Sequence, residues 1–488
     1  EDLSARYESY GWHTQTVDWK KTGNYVEDIE ELYNAIEKAK SVTDKPSLIT
    51  LRTIIGWPSP KKQNTGKIHG SALGAEELAG LKTALGFDPE KTFDVAPEVI
   101  AHTRGYQAYA DQVRAGWEAQ FDAWASENAD KKDLLDRIQR GETPVELESA
   151  LPVFEGGTEV STRASSGKVI NAIAKVMPEL WGGSADLAES NNTTIEGAKS
   201  FVPAEWSTHE WTGDKYGRVL HFGIREHAMG AILNGIALHG PTRSYGGTFL
   251  IFSDYMRPAV RLAALMKTPS IFVWTHDSVA LGEDGPTHQP IEQLATLRAI
   301  PGLDVVRPAD ANETAWAWKT ILERRNGPAG IALSRQNLPV VERGSAASAT
   351  EFAPASHTAK GAYVLIDSPT GTVDVILIAT GSEVQVAVAA REELAAKGIG
   401  ARVVSAPCLE WFDEQSDAYR ESVLPASVTA RVSVEAGLAL GWSTYIGANG
   451  ASISIEHFGA SADYQTLFRE FGITSEAVTR AAENLLSR

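Results

Sequence analysis

A carboxylate and a set of aromatic rings stand near one another in the middle of the sequence. Glu226 opens an expected helix, and Phe249, Phe252 and Tyr255 recur three apart in an expected glycine-rich loop. Acidic residues in a first helical turn satisfy free backbone N–H groups, which is a purely structural explanation for Glu226. The rings favour a binding role, in which a flat aromatic heterocycle stacks on them and Glu226 reaches one of its ring nitrogens.

A second group of polar residues follows a buried strand further along the chain. His276, Asp284 and His288 fall within thirteen residues, at spacings of eight and four. Three titratable groups at the end of a strand indicate a functional site. A metal site is the obvious alternative for two histidines and an aspartate, but the spacing matches no common zinc pattern, so a metal is disfavoured.

Other candidates have structural explanations that the residues alone leave open. Arg163 stands at a helix start, where a solvated cation is common. Asp186 and Ser190 follow a strand and could organise a turn or cap a helix. Arg335 also follows a strand, and His69 stands in a glycine-flanked loop, where a lone histidine is normally exposed and inert.

Alternating helix and strand patterns must position these residues. Residues 25–41 have helical spacing, and residues 47–55 read as a strand. Such alternation predicts mostly parallel sheets covered by helices, with ligands at the carboxyl ends of the strands. The length of 488 residues predicts about three domains.

Several long motifs resemble the transketolase family in their order and spacing. They are TIIGWPSP, GKIHGSALG, LWGGSADLAESN, GIREHAMGAILNG, YGGTFLIFSDY, THDSVALGEDGPTHQPIEQLATLR, RPADANE and IALSRQNLP. The resemblance covers essentially the whole chain, and a series of long polar motifs is far more specific than one glycine-rich loop.

The resemblance implies an α/β fold made of three consecutive units with mostly parallel sheets, the thiamine diphosphate-binding fold plus a transketolase C-terminal domain. We expect residues 1–145 to be the C-terminal part of a diphosphate-binding domain. Residues 146–343 would be a pyrimidine-binding domain, and residues 344–488 the C-terminal domain.

The resemblance also implies a reaction. A two-carbon ketol unit would pass reversibly from a ketose phosphate such as xylulose 5-phosphate to an aldose phosphate such as ribose 5-phosphate, by way of thiamine diphosphate, in the pentose phosphate pathway. Glu226 would share a proton with the pyrimidine ring of the cofactor, in a pocket with Phe249, Phe252 and Tyr255. Asp186 would belong to the cofactor and subunit-interface region.

The substrate residues are carried over from the family in the same way. Arg163, Ser190, His276 and Arg335 would hold the sugar phosphate, since a guanidinium gives phosphate two parallel charged hydrogen bonds. Asp284 would bond a substrate hydroxyl, and His288 would lie by the reacting carbon. His69 would contact sugar hydroxyls and the cofactor. Histidines titrate near neutrality, so His276, His288 and His69 could also pass protons during catalysis.

One family motif has no counterpart in the sequence. The Gly-Asp-Gly segment and later asparagine, which hold the diphosphate and its Mg²⁺ or Ca²⁺ in the family, precede the point where the chain starts. We therefore expect the N-terminal half of the diphosphate-binding domain to be missing, the metal ligands to lie in that segment, and none to lie in this chain. Truncation is one explanation, and a separate N-terminal polypeptide is the other.

Composition limits the class of partner. The net charge of −18 and the absence of a basic run argue against nucleic acid. No stretch reaches the roughly 18 apolar residues that span a bilayer. The single cysteine, Cys408, fits a reducing cytoplasm. The resemblance implies a homodimer. The alternatives are a catalytically incompetent remnant that only dimerises or binds, and a related enzyme such as dihydroxyacetone synthase.

Overall fold

Parallel strands alternate with helices through most of the chain. The computed structural model describes residues 1–21 and 23–487. These residues group into two spatial units, Glu1–Trp124 and Ala125–Arg488. None of the helices in the described residues is long and apolar enough to cross a membrane.

The first unit is built around a pair of parallel strands. Its elements are α1 (Leu3–Ser9), β1 (His13–Asp18), α2 (Ile29–Ser41), β2 (Ser47–Arg52), α3 (Ala75–Ala84) and most of α4 (Pro97–Glu127). β1 and β2 pair in parallel. Helix α2 begins four residues later than the sequence pattern predicts, because the Asp28 side chain accepts a hydrogen bond from the backbone N–H of Glu31 at 2.8 Å and caps the helix there.

The second unit contains a six-stranded parallel sheet in the order β5-β4-β6-β7-β9-β8. Its elements are α5 (Ala129–Arg140), α6 (Leu147–Ala150), β3 (Glu159–Val160), α7 (Thr162–Val176), β4 (Leu180–Ser184), α8 (Ala188–Asn191), β5 (Val219–His221), α9 (Glu226–His239), β6 (Arg243–Phe249), α10 (Ser253–Leu265), β7 (Ile271–Thr275), α11 (Gln293–Arg298), β8 (Asp304–Val306), α12 (Ala311–Glu323), β9 (Ala329–Leu333) and β10 (Leu338–Pro339).

Helices cover both faces of this sheet. Along β7 the side chains alternate: Ile271 and Val273 pack in one core with α7 and α12, and Phe272 and Trp274 pack in another with α9 and α10. Every residue of β7 is buried, which explains why its sequence is an apolar run without polar alternation.

A five-stranded sheet in the order β11-β13-β12-β14-β15 follows in the same unit. Its elements are β11 (Tyr363–Ile366), β12 (Val375–Ala379), α13 (Val384–Ala395), β13 (Ala401–Ser405), α14 (Leu409–Asp413), α15 (Asp417–Val423), β14 (Arg431–Val434), α16 (Ser443–Ile446), β15 (Ala451–Ile453), α17 (Tyr464–Glu470) and α18 (Ser475–Leu486). Only β11 pairs antiparallel in it. The predicted α/β class with mostly parallel sheets is confirmed.

Candidate active site

Most of the candidate residues collect at one edge of the six-stranded sheet. Its strands are all parallel, so their carboxyl ends lie along the same edge, where α/β proteins bind ligands. The residues that end or follow these strands are Asp186 after β4, Glu226 after β5, Phe249 at the end of β6, His276 after β7 and Arg335 after β9.

Glu226 is a buried carboxylate at the first position of α9, with 9% of its surface exposed. Helix α9 presses Met229 and Leu233 onto Gly246 of β6, where a side chain would collide with both. Within residues 1–21 and 23–487 no hydrogen bond or ion pair reaches the Glu226 carboxylate. Capping of its own helix therefore does not account for Glu226, and a buried acid without a partner is available to a ligand.

The three predicted aromatic residues form a parallel stack, but the predicted loop is wrong: Phe249 ends the buried strand β6, and Tyr255 lies in α10. The ring centroids of Phe249 and Phe252 lie 5.7 Å apart at 12°, and those of Phe252 and Tyr255 lie 5.7 Å apart at 17°. Phe249 is buried, Phe252 is half-buried, and Tyr255 is exposed. The stack runs from the sheet edge outward, and it offers flat apolar faces to an aromatic ligand.

His276 joins this stack from the neighbouring strand. Its ring centroid lies 3.7 Å from that of Phe249, and the His288 ring lies edge-on to Phe252 at 5.7 Å. The backbone of His276 has a φ of 60°, in the left-handed region that few non-glycine residues adopt. The structure thus brings two of the predicted histidines to two of the predicted rings.

Two arginines without acidic partners lie beside His276. Arg163, in the first turn of α7, donates from Nη1 to the Ser190 carbonyl at 2.8 Å, and Arg335 donates from Nη1 to the Leu281 carbonyl at 2.9 Å. Neither guanidinium forms an ion pair within the described ranges 1–21 and 23–487. Burial, and then the positive charge of Arg335, lowers the pKa of Arg163. Two adjacent cations without an ion pair in the described residues can bind an anion.

The pKa of His276 reflects the same surroundings. Burial, followed by the charges of Arg163, Arg335 and His288, lowers the pKa of His276 to about 3. The imidazole is therefore neutral at physiological pH when no ligand is bound, and the expectation that His276 titrates near neutrality is wrong for the ligand-free chain.

A loop that leaves β7 carries two further substrate candidates. Asp284 is exposed in this loop, and half-buried His288 contacts Thr287 Oγ1 through Nδ1 at 3.0 Å. The buried side chain of Gln289 donates from Nε2 to the carbonyls of Val279 at 3.2 Å and Gly282 at 3.0 Å. It also donates to Ala460, beyond β15, at 2.9 Å. Gln289 thus connects the end of the loop to its beginning and to the segment after β15.

Asp186 and Ser190 lie next to this group on the connection after β4. Asp186 is exposed with a φ of 61°. Ser190 is half-buried, and its backbone carbonyl holds Arg163. Both residues therefore lie at the predicted sheet edge.

His69 lies in the first unit, in the loop between β2 and α3. Its side chain is exposed, directly after a short helical turn over Gly66–Ile68. The loop is anchored by Glu77 of α3, whose Oε1 accepts from the backbone N–H groups of Lys61 at 2.8 Å and Lys62 at 3.0 Å. The anchored loop presents His69 to solvent.

Three polar residues at this edge were not predicted from the sequence. Asn191, Thr275 and Gln289 are buried, and each directly follows or precedes a predicted site residue. A polar residue at the end of an apolar strand, such as Thr275, was the available signal. Asn191 and Thr275 hold other side chains and Gln289 holds backbone carbonyls, which a linear pattern does not reveal.

The chain's residues fit part of a thiamine cofactor. The partnerless Glu226 and the parallel rings of Phe249 and Phe252 suit a flat heterocycle with a ring nitrogen. No group of three or more histidines, cysteines, aspartates or glutamates suited to a metal ion is found in the part of the chain that the structure describes.

Comparison with protein families gives three matches along the chain. The transketolase thiamine diphosphate binding domain matches residues 1–144, the transketolase pyrimidine binding domain matches residues 158–341, and the transketolase-like C-terminal domain matches residues 361–474. The first match does not support the expectation that half of the diphosphate-binding domain is missing, nor that the metal ligands lie in a lost segment.

Individual relatives agree with the family matches. The chain is 57% identical to a transketolase of Mycobacterium tuberculosis and 45% identical to one of Geobacillus stearothermophilus, with all of this chain aligned to 68% and 70% of those proteins. A transketolase of Pichia stipitis solved in complex with sedoheptulose 7-phosphate is 42% identical, with a TM-score of 0.90 over all of this chain and 69% of that one. The chain therefore belongs to the transketolase family of transferases.

Proposed function

We propose that the edge of the six-stranded sheet transfers a two-carbon ketol unit from a ketose phosphate such as xylulose 5-phosphate to an aldose phosphate such as ribose 5-phosphate. The observation that carries the proposal is the pair Arg163 and Arg335, two neighbouring guanidinium groups without an acidic partner in the described residues, beside His276. The Pichia stipitis relative, solved with sedoheptulose 7-phosphate, supports a phosphorylated sugar. This reaction belongs to the pentose phosphate pathway.

The cofactor end of the site is the aromatic stack. Thiamine diphosphate, when bound, supplies the nucleophilic carbon that carries the two-carbon unit. Phe249, Phe252 and Tyr255 would exclude water and offer flat surfaces to the heterocycle. Glu226 would hold a proton between its carboxylate and a ring nitrogen, and its burial strengthens that hydrogen bond. Asp186 would lie near the cofactor.

The phosphate end is formed by the two arginines. Arg163 and Arg335 would each bind phosphate oxygens, and Ser190 and His276 would complete the contact. Binding the phosphate away from the reacting carbon aligns the carbonyl, so that binding energy is used for orientation.

The remaining predicted residues would contact the part of the sugar that reacts. Asp284 would accept a hydrogen bond from a substrate hydroxyl. His288, against Phe252, would donate and accept protons at the oxygen next to the bond that breaks, and His69 would contact sugar hydroxyls and the cofactor.

Dihydroxyacetone synthase is the second candidate, because it shares most of the sequence motifs. The test is transfer by the chain, with thiamine diphosphate and magnesium, from xylulose 5-phosphate to either ribose 5-phosphate or formaldehyde. Faster transfer to ribose 5-phosphate supports the proposal. Preference for formaldehyde supports the second candidate, and no transfer to either would support a remnant that only dimerises or binds.

Assembly and cofactor details belong to the same proposal. Mg²⁺ or Ca²⁺ with the diphosphate stays a prediction, and the comparisons give no support for a separate N-terminal polypeptide. We propose domains at 1–145, 146–343 and 344–488, which the three family matches support. A cytoplasmic location rests on the single cysteine.

A homodimer is typical of the family, and the second unit carries a surface that suits one. Helices α9 and α10 pack against each other, and together they carry an apolar patch of exposed side chains: Ile232, Leu238, Leu262 and Leu265. An apolar patch on helices next to the site favours an interface there.

A further inference from the structure

Four buried polar side chains are joined by hydrogen bonds into a continuous line that ends at His276. Ser184 Oγ donates to the Gly247 carbonyl at 2.8 Å, and Asn191 Nδ2 donates to Ser184 Oγ at 2.7 Å. Thr275 Oγ1 donates to Asn191 Oδ1 at 2.6 Å, and His276 Nδ1 lies 2.8 Å from Thr275 Oγ1. All four side chains are buried, with Asn191 and Thr275 fully enclosed.

The donor and acceptor of each hydrogen bond in this line can be assigned, because each hydroxyl has only one proton to donate. A carbonyl only accepts, so the Ser184 proton points to Gly247, and Ser184 Oγ accepts from the Asn191 amide. The Asn191 oxygen then faces Thr275 and takes the Thr275 proton. Thr275 Oγ1 is left with lone pairs only toward the imidazole, so the proton between Thr275 and His276 must belong to His276 Nδ1.

The reversed orientation of the Asn191 amide fits less well. In the reversed orientation the Asn191 oxygen would face Ser184, and Ser184 would have to donate its proton to that oxygen. Ser184 Oγ would then lie 2.8 Å from the Gly247 oxygen with no proton between them. It would also place an N–H donor 2.6 Å from Thr275 Oγ1, a separation typical of O–H···O bonds and short for N–H···O bonds. Both observations favour the first orientation.

We infer that Ser184, Asn191 and Thr275 form a relay that holds neutral His276 as its Nδ1–H tautomer, which leaves the Nε2 lone pair for the ligand. The three are positioning residues, since they act through His276. Within residues 1–21 and 23–487 no hydrogen bond to Nε2 is formed. The backbone turn at His276, with its φ of 60°, is part of the arrangement that keeps Nδ1 on Thr275.

The tautomer determines which hydrogen bond His276 can form with a phosphate. The presence of a phosphate here rests on the proposed function. A lone pair on Nε2 repels a fully ionised phosphate oxygen, so the contact requires one added proton, on Nε2 or on the phosphate. The charged or titratable groups that face the imidazole are Arg163 from α7, Arg335 after β9 and His288 from the loop. The neighbouring Asp277 is engaged by Arg307 at 2.9 Å. The negative charge of a bound phosphate would offset the positive charge of the two arginines, which disfavours protonation of His276.

The test is nitrogen NMR of the ligand-free 488-residue chain, labelled with ¹⁵N in its histidine side chains. Long-range ¹H–¹⁵N spectra separate a protonated ring nitrogen from a bare one, and loss of a signal in His276→Gln assigns the residue. We expect a protonated Nδ1 and a bare Nε2 at neutral pH. Thr275→Val should abolish this preference by removing the acceptor, and Thr275→Ser should retain it.

A protonated Nε2 in the unaltered chain would overturn the inference, and so would an unchanged tautomer in a folded Thr275→Val variant. If Thr275→Val does not fold, the spectrum of the unaltered chain alone decides. Because no substrate is present, failure of the proposed function would not alter this result.

Discussion

The ring of His276 lies against the ring of Phe249, with their centroids 3.7 Å apart. The sheet register explains the contact, since Phe249 at the end of β6 pairs with Thr275, the residue before His276. One imidazole therefore borders the aromatic stack on one side and the two arginines on the other. The proposed cofactor and phosphate ends of the site meet at this residue.

Replacement of an unpaired arginine tests the phosphate end. Arg163→Gln removes charged hydrogen bonds of about 1.5–3 kcal/mol each, so affinity for ribose 5-phosphate should fall roughly 10- to 100-fold. Calorimetric titration measures it. Affinity for unphosphorylated ribose should not change.

The matched control is Arg469→Gln in helix α17, an exposed arginine beside Glu470. It should leave both affinities unchanged. Equal losses for ribose and ribose 5-phosphate in Arg163→Gln would contradict a phosphate role for Arg163.

Proton uptake tests the tautomer through binding. Above a pH of about 6 a free phosphate monoester is mainly a dianion, and the pKa of His276, lowered to about 3, leaves its ring neutral. Neither partner carries the bridging proton. Binding of ribose 5-phosphate should therefore take up close to one proton, and affinity should fall by up to about tenfold per pH unit as the pH rises.

Titration calorimetry in buffers of different ionisation enthalpy counts the protons. Ribose, which lacks the phosphate, should take up none. Binding of ribose 5-phosphate without proton uptake at pH 7.5 to 8 (roughly two units above the phosphate pKa) would show that His276 does not share a proton with the phosphate.

Much of this site could be predicted because its residues stand in contiguous motifs at strand ends. Parallel strands bring their carboxyl ends to one edge, so His276 and Arg335, which each follow a predicted strand, are expected together. The strand that ends at Phe249 was not predicted, because its glycines resemble those of a loop. The start of α2 was misplaced because the capping contact of Asp28 depends on a side-chain rotamer rather than on apolar spacing.

The supporting residues could not be predicted in the same way. Asn191 lies 84 residues before Thr275 in the sequence, and their hydrogen bond arises only when α8 packs at the ends of β4 and β7. Gln289 reaches Ala460 across 171 residues. Contacts between such distant residues leave no periodic signal, whereas the site residues they hold belong to motifs.

A buried ion cluster should make a large contribution to stability. Arg307 donates to Asp277 at 2.9 Å and to Thr380 Oγ1 at 3.0 Å, and pairs with Glu383, with all three ionic groups enclosed. Arg307→Met leaves two buried carboxylates unpaired, so the free energy of unfolding should fall by about 3–5 kcal/mol. Denaturant titration measures it.

Arg420→Met is the control, because Arg420 forms an exposed pair with Asp417. Exposed pairs contribute little, so its unfolding curve should match that of the unaltered chain. A loss in Arg307→Met no larger than in Arg420→Met would show that the buried cluster does not stabilise the fold.

The apolar patch on α9 and α10 predicts where two copies of the chain associate. Leu265→Glu places a charge in the patch and should shift the chain toward monomer in sedimentation velocity, because a desolvated charge disfavours association. Leu440→Glu, at an exposed leucine after β14, should not change the assembly. Dimers of unchanged affinity in Leu265→Glu would place the interface elsewhere.

The most direct test of the proposed chemistry is turnover of Glu226→Gln. The substitution keeps the size of the side chain and removes the group proposed to hold the proton. With thiamine diphosphate and magnesium present, transfer from xylulose 5-phosphate to ribose 5-phosphate should slow by at least about 100-fold, while ribose 5-phosphate affinity, measured by calorimetry, should stay the same. Near-normal turnover in Glu226→Gln would contradict the account.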